Sequence, residues 1–178
     1  MTEICVGCGM CCDGTMYQHV VLRADDDLVP LTAAGAVFDV TNGDDCFRQP
    51  CPAFGSGCCS MYEDRPAVCR KYRCALLQRF EAGEVSSDDA LELIAGTTAL
   101  RDQVRPAVER FVGSDHPQAL TSLFELLSAR FDTDGDPAAL RRDNAEMLLD
   151  VTTLQRLLTR YFEPPRVTPS ESGQAQPH

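Results

Sequence analysis

Ten cysteines fall between Cys5 and Cys74 of a 178-residue chain, and none follows. Thiols at this density either pair as disulfides or hold metal. The first set is Cys5-Val6-Gly7-Cys8-Gly9-Met10-Cys11-Cys12. Two-residue gaps let successive thiolates turn toward one centre, and Gly7 and Gly9 let the backbone bend around it. Cys11 and Cys12 are neighbours, so their side chains diverge in helical and extended backbone alike. Either one ligates while the other packs, or the two face different metals.

The second set is Cys46, Cys51, Cys58, Cys59, Cys69 and Cys74. Pro50 and Pro52 stiffen the chain around Cys51, and Gly55 and Gly57 loosen the loop before Cys58-Cys59. A helix entered at Pro66 and running to about Gly83 would carry Cys69 at its start and Cys74 at its middle. The two would not share a face, which makes Cys69 the better-placed ligand of the pair. Arg65, Arg70, Lys71 and Arg73 make this the most basic stretch of an acidic chain. Such residues can offset the charge of a thiolate site; the plainer reading is a solvated helix face.

Zinc favours closed tetrahedral sites, commonly built from two separated C-x2-C knuckles, and the second set contains no C-x2-C. Cys5-x2-Cys8-x2-Cys11 instead repeats the opening spacings of a bacterial ferredoxin run, in which a further ligand is followed by Pro, as Cys51 is here. The spacing leans toward an iron–sulfur cluster, with zinc as the alternative. His19, alone in a strand, is better read as a packed or exposed residue than as a ligand. Asp132, Asp134 and Asp136 resemble half of a calcium loop, but Pro137 occupies the place that needs Gly, so they read as a linker ending in a helix cap. His116 reads as a helix-start residue, and His178 belongs to the tail.

Two motifs in order carry a family resemblance. One is Cys5-x2-Cys8-Gly9-x-Cys11-Cys12. The other is Cys51-Pro-Ala-Phe54, then Cys59-Ser-Met-Tyr62-Glu-Asp-Arg65-Pro66-Ala-Val-Cys69-Arg70-Lys-Tyr72. Residues 5–74 thereby resemble the CxxCxxCC family of YkgJ-type cysteine-cluster proteins. The resemblance implies a zinc- or iron-chelating domain, with some relatives linked to an iron–sulfur centre and to flagellin lysine methylation. It implies Cys5, Cys8, Cys11, Cys12, Cys51, Cys59 and Cys69 as ligands, with Tyr62, Arg65 and Pro66 as scaffold. Cys46, Cys58 and Cys74 lie beyond the pattern; of these, Cys74 is retained as a candidate ligand. Arg73 stands where Pro often follows the aromatic residue.

The formal net charge is -11, with 16 basic against 27 acidic residues. This argues against a sequence-independent nucleic-acid binder and against attachment to anionic lipid. No apolar run reaches the roughly 18 residues of a spanning helix. The opening MTEICVGCGMCC has neither the basic region nor the apolar core of a secretory signal, so the expected home is the cytoplasm, where thiols stay reduced. No phosphate loop, HExxH or G-x-S-x-G motif occurs. The expected function is metal binding with a redox or metal-handling role. The alternatives are a metal-dependent enzyme, a partner in protein modification, or a structural zinc domain that binds a protein partner.

Elements must position these thiols. Met16–Arg23 and Val37–Thr41 read as short strands, the second entering an Asn42-Gly43 turn. Beyond Cys74 the pattern is helical. Ser87 before Asp88-Asp89 caps a helix with Leu93, Leu100, Val104, Ala107 and Phe111 on one side, kinked or interrupted at Pro106. Asp115 and Pro117 start a second, with Leu120, Phe124, Leu127 and Phe131. Asp136-Pro137 starts a third, whose stripe is Leu140, Met147, Val151, Leu154, Leu158 and Tyr161. The expected fold is mainly α with minor β. A cysteine-rich metal-binding region of short strands and loops (1–83) packs on a helical bundle (84–162), followed by a disordered tail (163–178).

Overall fold

The computed structural model describes residues 3–115, 117–133 and 135–164. The readings of His116, Asp134, His178 and the tail from residue 165 onward lie outside the described residues. The fold is mainly helical with small antiparallel sheets, as expected. Helix α1 (Glu3–Cys8) opens the chain, followed by β1 (His19–Val21), α2 (Val29–Ala33), β2 (Phe38–Thr41) and β3 (Asp44–Arg48).

The first expected strand is shorter than its sequence suggests. Met16 is drawn out of it and hydrogen-bonds through its N–H to the Met10 carbonyl, in the cysteine turn. The Asn42-Gly43 signal delivers a hairpin. Both residues have positive φ, 56° and 90°, the combination that a tight two-residue turn requires. The turn leads into β3, a strand with too many polar residues to stand out, which becomes the centre of a three-stranded sheet in the order β1-β3-β2. Its register pairs Val20 and Phe38 with Phe47, and Val21 and Asp39 with Cys46. Phe47 thus faces a small core of Leu22, Leu31, Ala53 and Met61, while Cys46 points to the other side. A two-stranded ribbon, β4 (Phe54–Gly55) with β5 (Cys58–Cys59), follows.

The helix expected from Pro66 to Gly83 is two helices. α3 (Ala67–Lys71) ends at Tyr72, whose backbone is extended (φ -62°, ψ 134°). α4 (Ala75–Glu81) starts after Cys74, also extended (φ -68°, ψ 165°). Side chains satisfy the carbonyls exposed by the break. The Arg73 guanidinium donates to the Arg70 and Tyr72 carbonyls, and the Gln78 amide donates to that of Arg73. Propensity reads through these residues, and contacts distant in sequence overrule it.

α5 (Ser87–Val112) runs without interruption through Pro106, contrary to the expected break. A single proline removes one backbone bond, and the packed face carries the rest. Its cap is Ser86, one residue before the expected Ser87; the Ser86 hydroxyl accepts from the Asp89 N–H. α6 (Leu120–Thr133) starts later than Pro117. The third expected helix is capped by Asp136, whose carboxylate accepts from the Ala139 N–H. It is then divided into α7 (Pro137–Asp143) and α8 (Ala145–Leu157), ending in a π turn over Leu158–Phe162. Asn144 makes the break by turning its side-chain amide onto the Leu140 carbonyl.

The main core joins the cysteine-rich region to the helices. Ile4, Met10, Met16 and Leu76 are buried with Ile94, Val104 and Val108 of α5, Leu120, Leu123 and Leu127 of α6, and Val151, Leu154, Leu158 and Phe162 beyond. The buried line of α5 is Ala90, Ile94, Thr97, Val104 and Val108, rotated slightly from the expected stripe. Leu93, Leu100 and Phe111 flank it, partly buried. No helix among the described residues is long and apolar enough to cross a membrane.

Candidate metal centre

Helix α1 carries Cys5 and Cys8 three residues apart, hence on one face. Gly9 stops the helix with φ +65°. Its carbonyl then accepts from the N–H groups of Cys12 (2.8 Å) and Asp13 (3.0 Å), which closes a tight turn. Gly7, by contrast, lies within the helix and bends nothing. A Cβ on Gly9 would lie 2.2 Å from Cζ of Phe54, so the Phe54 ring packs directly on the glycine. This contact joins the first motif to the second.

The turn sends its adjacent cysteines in different directions. Cys5, Cys8, Cys11, Cys12 and Cys74 line a cavity of about 50 Å³ whose walls include Ile4, Leu76, Leu77, Ile94 and Phe162. Cys8, Cys11 and Cys74 pack against the main helical core. Cys51, Cys59 and Cys69 pack instead against the small core under the sheet. Cys12 leans toward that second group: burial, followed by Cys51, Cys69 and Cys59, pushes its thiol up to about 12.

The break between α3 and α4 is what carries Cys74 away from Cys69. Cys74 becomes the cap of α4, its sulfur accepting from the Leu77 N–H at 3.4 Å. Cys69 stays in α3 beside Cys51. The α3 entrance is held from afar, by a hydrogen bond of 2.6 Å from the Ala67 N–H to the Asp26 carboxylate. The ribbon sets Cys59 opposite Phe54. Cys51 is tied to the first motif by its N–H, which donates to the Cys12 carbonyl at 2.8 Å.

Burial dominates the electrostatics of both groups. It raises Cys8 to about 12 and Cys69 to about 11, and places Cys11 well above the ordinary 9.0. Neighbouring thiols add to the effect: Cys74 and Cys5 act on Cys8, and Cys8 and Cys74 act on Cys11. Cys51 and Cys74 are also raised, mainly by burial. Such thiols are protonated at neutral pH and become strong ligands only when a cation displaces the proton.

Of the basic stretch, Arg65 is the residue that opposes this trend at Cys69. Its guanidinium stacks 3.5 Å above the Tyr62 ring and donates to the Tyr62 carbonyl. Arg73 turns outward to Glu81, and Lys71 is exposed, so those two lie on the solvated side.

Other cysteines and His19 stand apart. Cys46 is buried in the sheet, where its sulfur meets the Asp39 carbonyl and the Thr41 hydroxyl. Cys58 is exposed, its thiol directed at the Gly55 carbonyl. His19 pairs across the sheet with Arg48. A larger open groove of about 440 Å³ beside Asp13, Arg105 and Glu109 has no thiol in its lining.

Three supports escaped the sequence reading. The Tyr17 and Tyr72 hydroxyls share a hydrogen bond of 2.5 Å beside the first group. Asp13, directly after Cys12, is paired with Arg101 of α5, and Arg105 donates to the Asp13 carbonyl. Asp26 holds α3. Each joins positions far apart in the chain, and the only local hints were Asp13 directly after Cys12 and Tyr72 two residues before Cys74.

None of the ten cysteines is in a disulfide. Among the described residues, no three Cys, His, Asp or Glu side chains stand close enough to hold a metal ion as positioned. The donor set still fits zinc or an iron–sulfur cluster: soft sulfur ligands are gathered in semi-buried groups, and changing one χ1 rotamer moves a cysteine sulfur by about 3 Å. Chelation would therefore draw the thiols inward.

Comparison with curated proteins and with solved structures returns no match. Residues 4–91 match the family model CxxCxxCC, described as "Putative zinc- or iron-chelating domain". The match spans both motifs, α3, α4 and the first turn of α5, and leaves the remaining helices uncovered. Over residues 4–91 the chain belongs to the CxxCxxCC family of zinc- or iron-chelating domains.

Proposed function

We propose that this chain chelates metal through Cys5, Cys8, Cys11, Cys12, Cys51, Cys59, Cys69 and Cys74. The metal is an iron–sulfur cluster or zinc, and the role is redox or metal handling. The observation that supports this reading is that Cys5, Cys8, Cys11, Cys12 and Cys74 line one small cavity and Cys51, Cys59 and Cys69 pack against one small core, so that thiols from both motifs are neighbours. Iron–sulfur chemistry would supply one-electron transfer, and zinc a fixed charge and a fixed geometry.

A structural role is favoured by one further feature. The core under the sheet contains only Leu22, Leu31, Phe47, Ala53 and Met61, little for a region of short strands and turns. Small cores of this kind are commonly held by metal. Anaerobic purification, elemental analysis and a visible absorption spectrum test the proposal. Iron with acid-labile sulfide supports the redox reading, and colourless protein with stoichiometric zinc supports the structural one. Native protein free of both, or with these sulfurs joined as disulfides, overturns the proposal.

A further inference from the structure

We infer that the eight thiols form two separate four-sulfur centres, one from Cys5, Cys8, Cys11 and Cys74 and the other from Cys12, Cys51, Cys59 and Cys69, bridged by the Cys11–Cys12 peptide. This division rests on the chelation proposed above and adds the number of centres and the ligands of each.

Three independent features of the structure set the division. The first is the cavity: all four members of the first group line it, and Cys51, Cys59 and Cys69 do not; Cys12 also lines it, but its carbonyl accepts from the Cys51 N–H at 2.8 Å, which ties it to the second group. The second is packing. Cys8, Cys11 and Cys74 lie against the helical core, whereas Cys51, Cys59 and Cys69 lie against the core under the sheet. The third is the backbone. The extended residues Tyr72 and Cys74 let two cysteines five positions apart serve different cores, which one continuous helix would not allow. At the Gly9 turn, Cys11 packs against the helical core while the carbonyl of its neighbour Cys12 accepts from the Cys51 N–H.

Phe54 touches the Gly9 turn and pairs with a cysteine of the second group. Its ring lies on Gly9, and its strand neighbour is Cys59. Consecutive Cα atoms are about 3.8 Å apart and metal–sulfur bonds are about 2.3 Å, so the centres lie within roughly 15 Å of each other. Cys5 of the first group is exposed, whereas all four cysteines of the second are half-buried.

The test uses the full chain, purified without oxygen, with metal counted per chain. Cys74→Ser and Cys51→Ser are compared with wild type. Each is expected to lose about half of the metal, and the two residual absorption spectra should sum to that of wild type. Complete loss from either folded variant, or no loss from either, overturns the division. Where a variant does not fold, as judged by helical circular dichroism, titration of the demetallated wild-type chain with Co(II) decides. Saturation of the thiolate-to-cobalt absorption at two equivalents supports two centres, and saturation at one overturns them. A wild-type chain that carries no metal and takes up no Co(II) instead overturns the chelation reading, and the division with it.

Discussion

Replacing Gly9 with alanine strikes the place where the two motifs touch. The added Cβ would lie 2.2, 2.9 and 3.0 Å from three ring atoms of Phe54. Ordinary carbon contacts are about 3.5–4.0 Å, so the ring or the turn must retreat by more than 1 Å. Overpacking of this kind costs about 1–3 kcal/mol. The backbone adds to it, because φ at Gly9 is +65° and a side chain there costs about 1–2 kcal/mol. A total near 3 kcal/mol corresponds to a melting temperature lowered by roughly 6–12 °C for a chain of this size. Gly7→Ala is the internal control. Nothing lies within 4 Å of its Cβ position, and it sits inside α1. Alanine in a helix is favoured over glycine by about 1 kcal/mol, so that variant should melt at or slightly above wild type. Differential scanning calorimetry, with metal content measured on the same samples, gives both readings. Gly9→Ala should also lose metal, since Gly9 positions Cys11 and Cys12 and Phe54 positions Cys59. If Gly9→Ala melts within 2 °C of wild type, or Gly7→Ala falls as far, the packing argument fails.

Further outcomes concern charge and the remaining cysteines. In the metal-free chain, Cys8 and Cys12 are raised to about 12 and Cys69 to about 11, so between the ordinary 9.0 and those values the folded state holds protons that the unfolded state releases. Stability of the metal-free chain is therefore full below pH 9 and falls as pH rises through that window; melting temperatures at pH 7, 9 and 11 check it, and a flat profile refutes it. For Cys8 the raised value adds about 4 kcal/mol to deprotonation, so metal affinity should rise steeply with pH and uptake should release protons, measurable by calorimetry in buffers of different ionisation enthalpy. Cys58→Ser should leave metal content unchanged and stability within about 0.5 kcal/mol, because the thiol is exposed and directed at the Gly55 carbonyl; loss of metal would return Cys58 to the ligand set. Arg101→Ala strands the half-buried Asp13 carboxylate beside Cys12 and should cost about 1–3 kcal/mol in urea unfolding, whereas an unchanged midpoint would show that the pair supports nothing.

The sequence alone revealed what depends on near neighbours. Cysteine spacing marked the thiols as candidate ligands, because two-residue gaps act over a single turn of chain. Asn42-Gly43 gave away its hairpin, since only the local φ values matter there. The caps at Asp136 and near Ser86, and the apolar repeat of the later helices, were legible for the same reason. Tertiary structure alone decided which core each cysteine packs against. The hydrogen bond between Tyr17 and Tyr72 and the outward turn of Arg73 accompany a break that helix propensity does not signal, and the break moves Cys74 to the far side from Cys69. Phe54 on Gly9, Asp26 on α3 and Arg101 on Asp13 join positions about 40 or more residues apart. Local pattern carries no trace of such partners, because their energy exists only once the chain has brought them together.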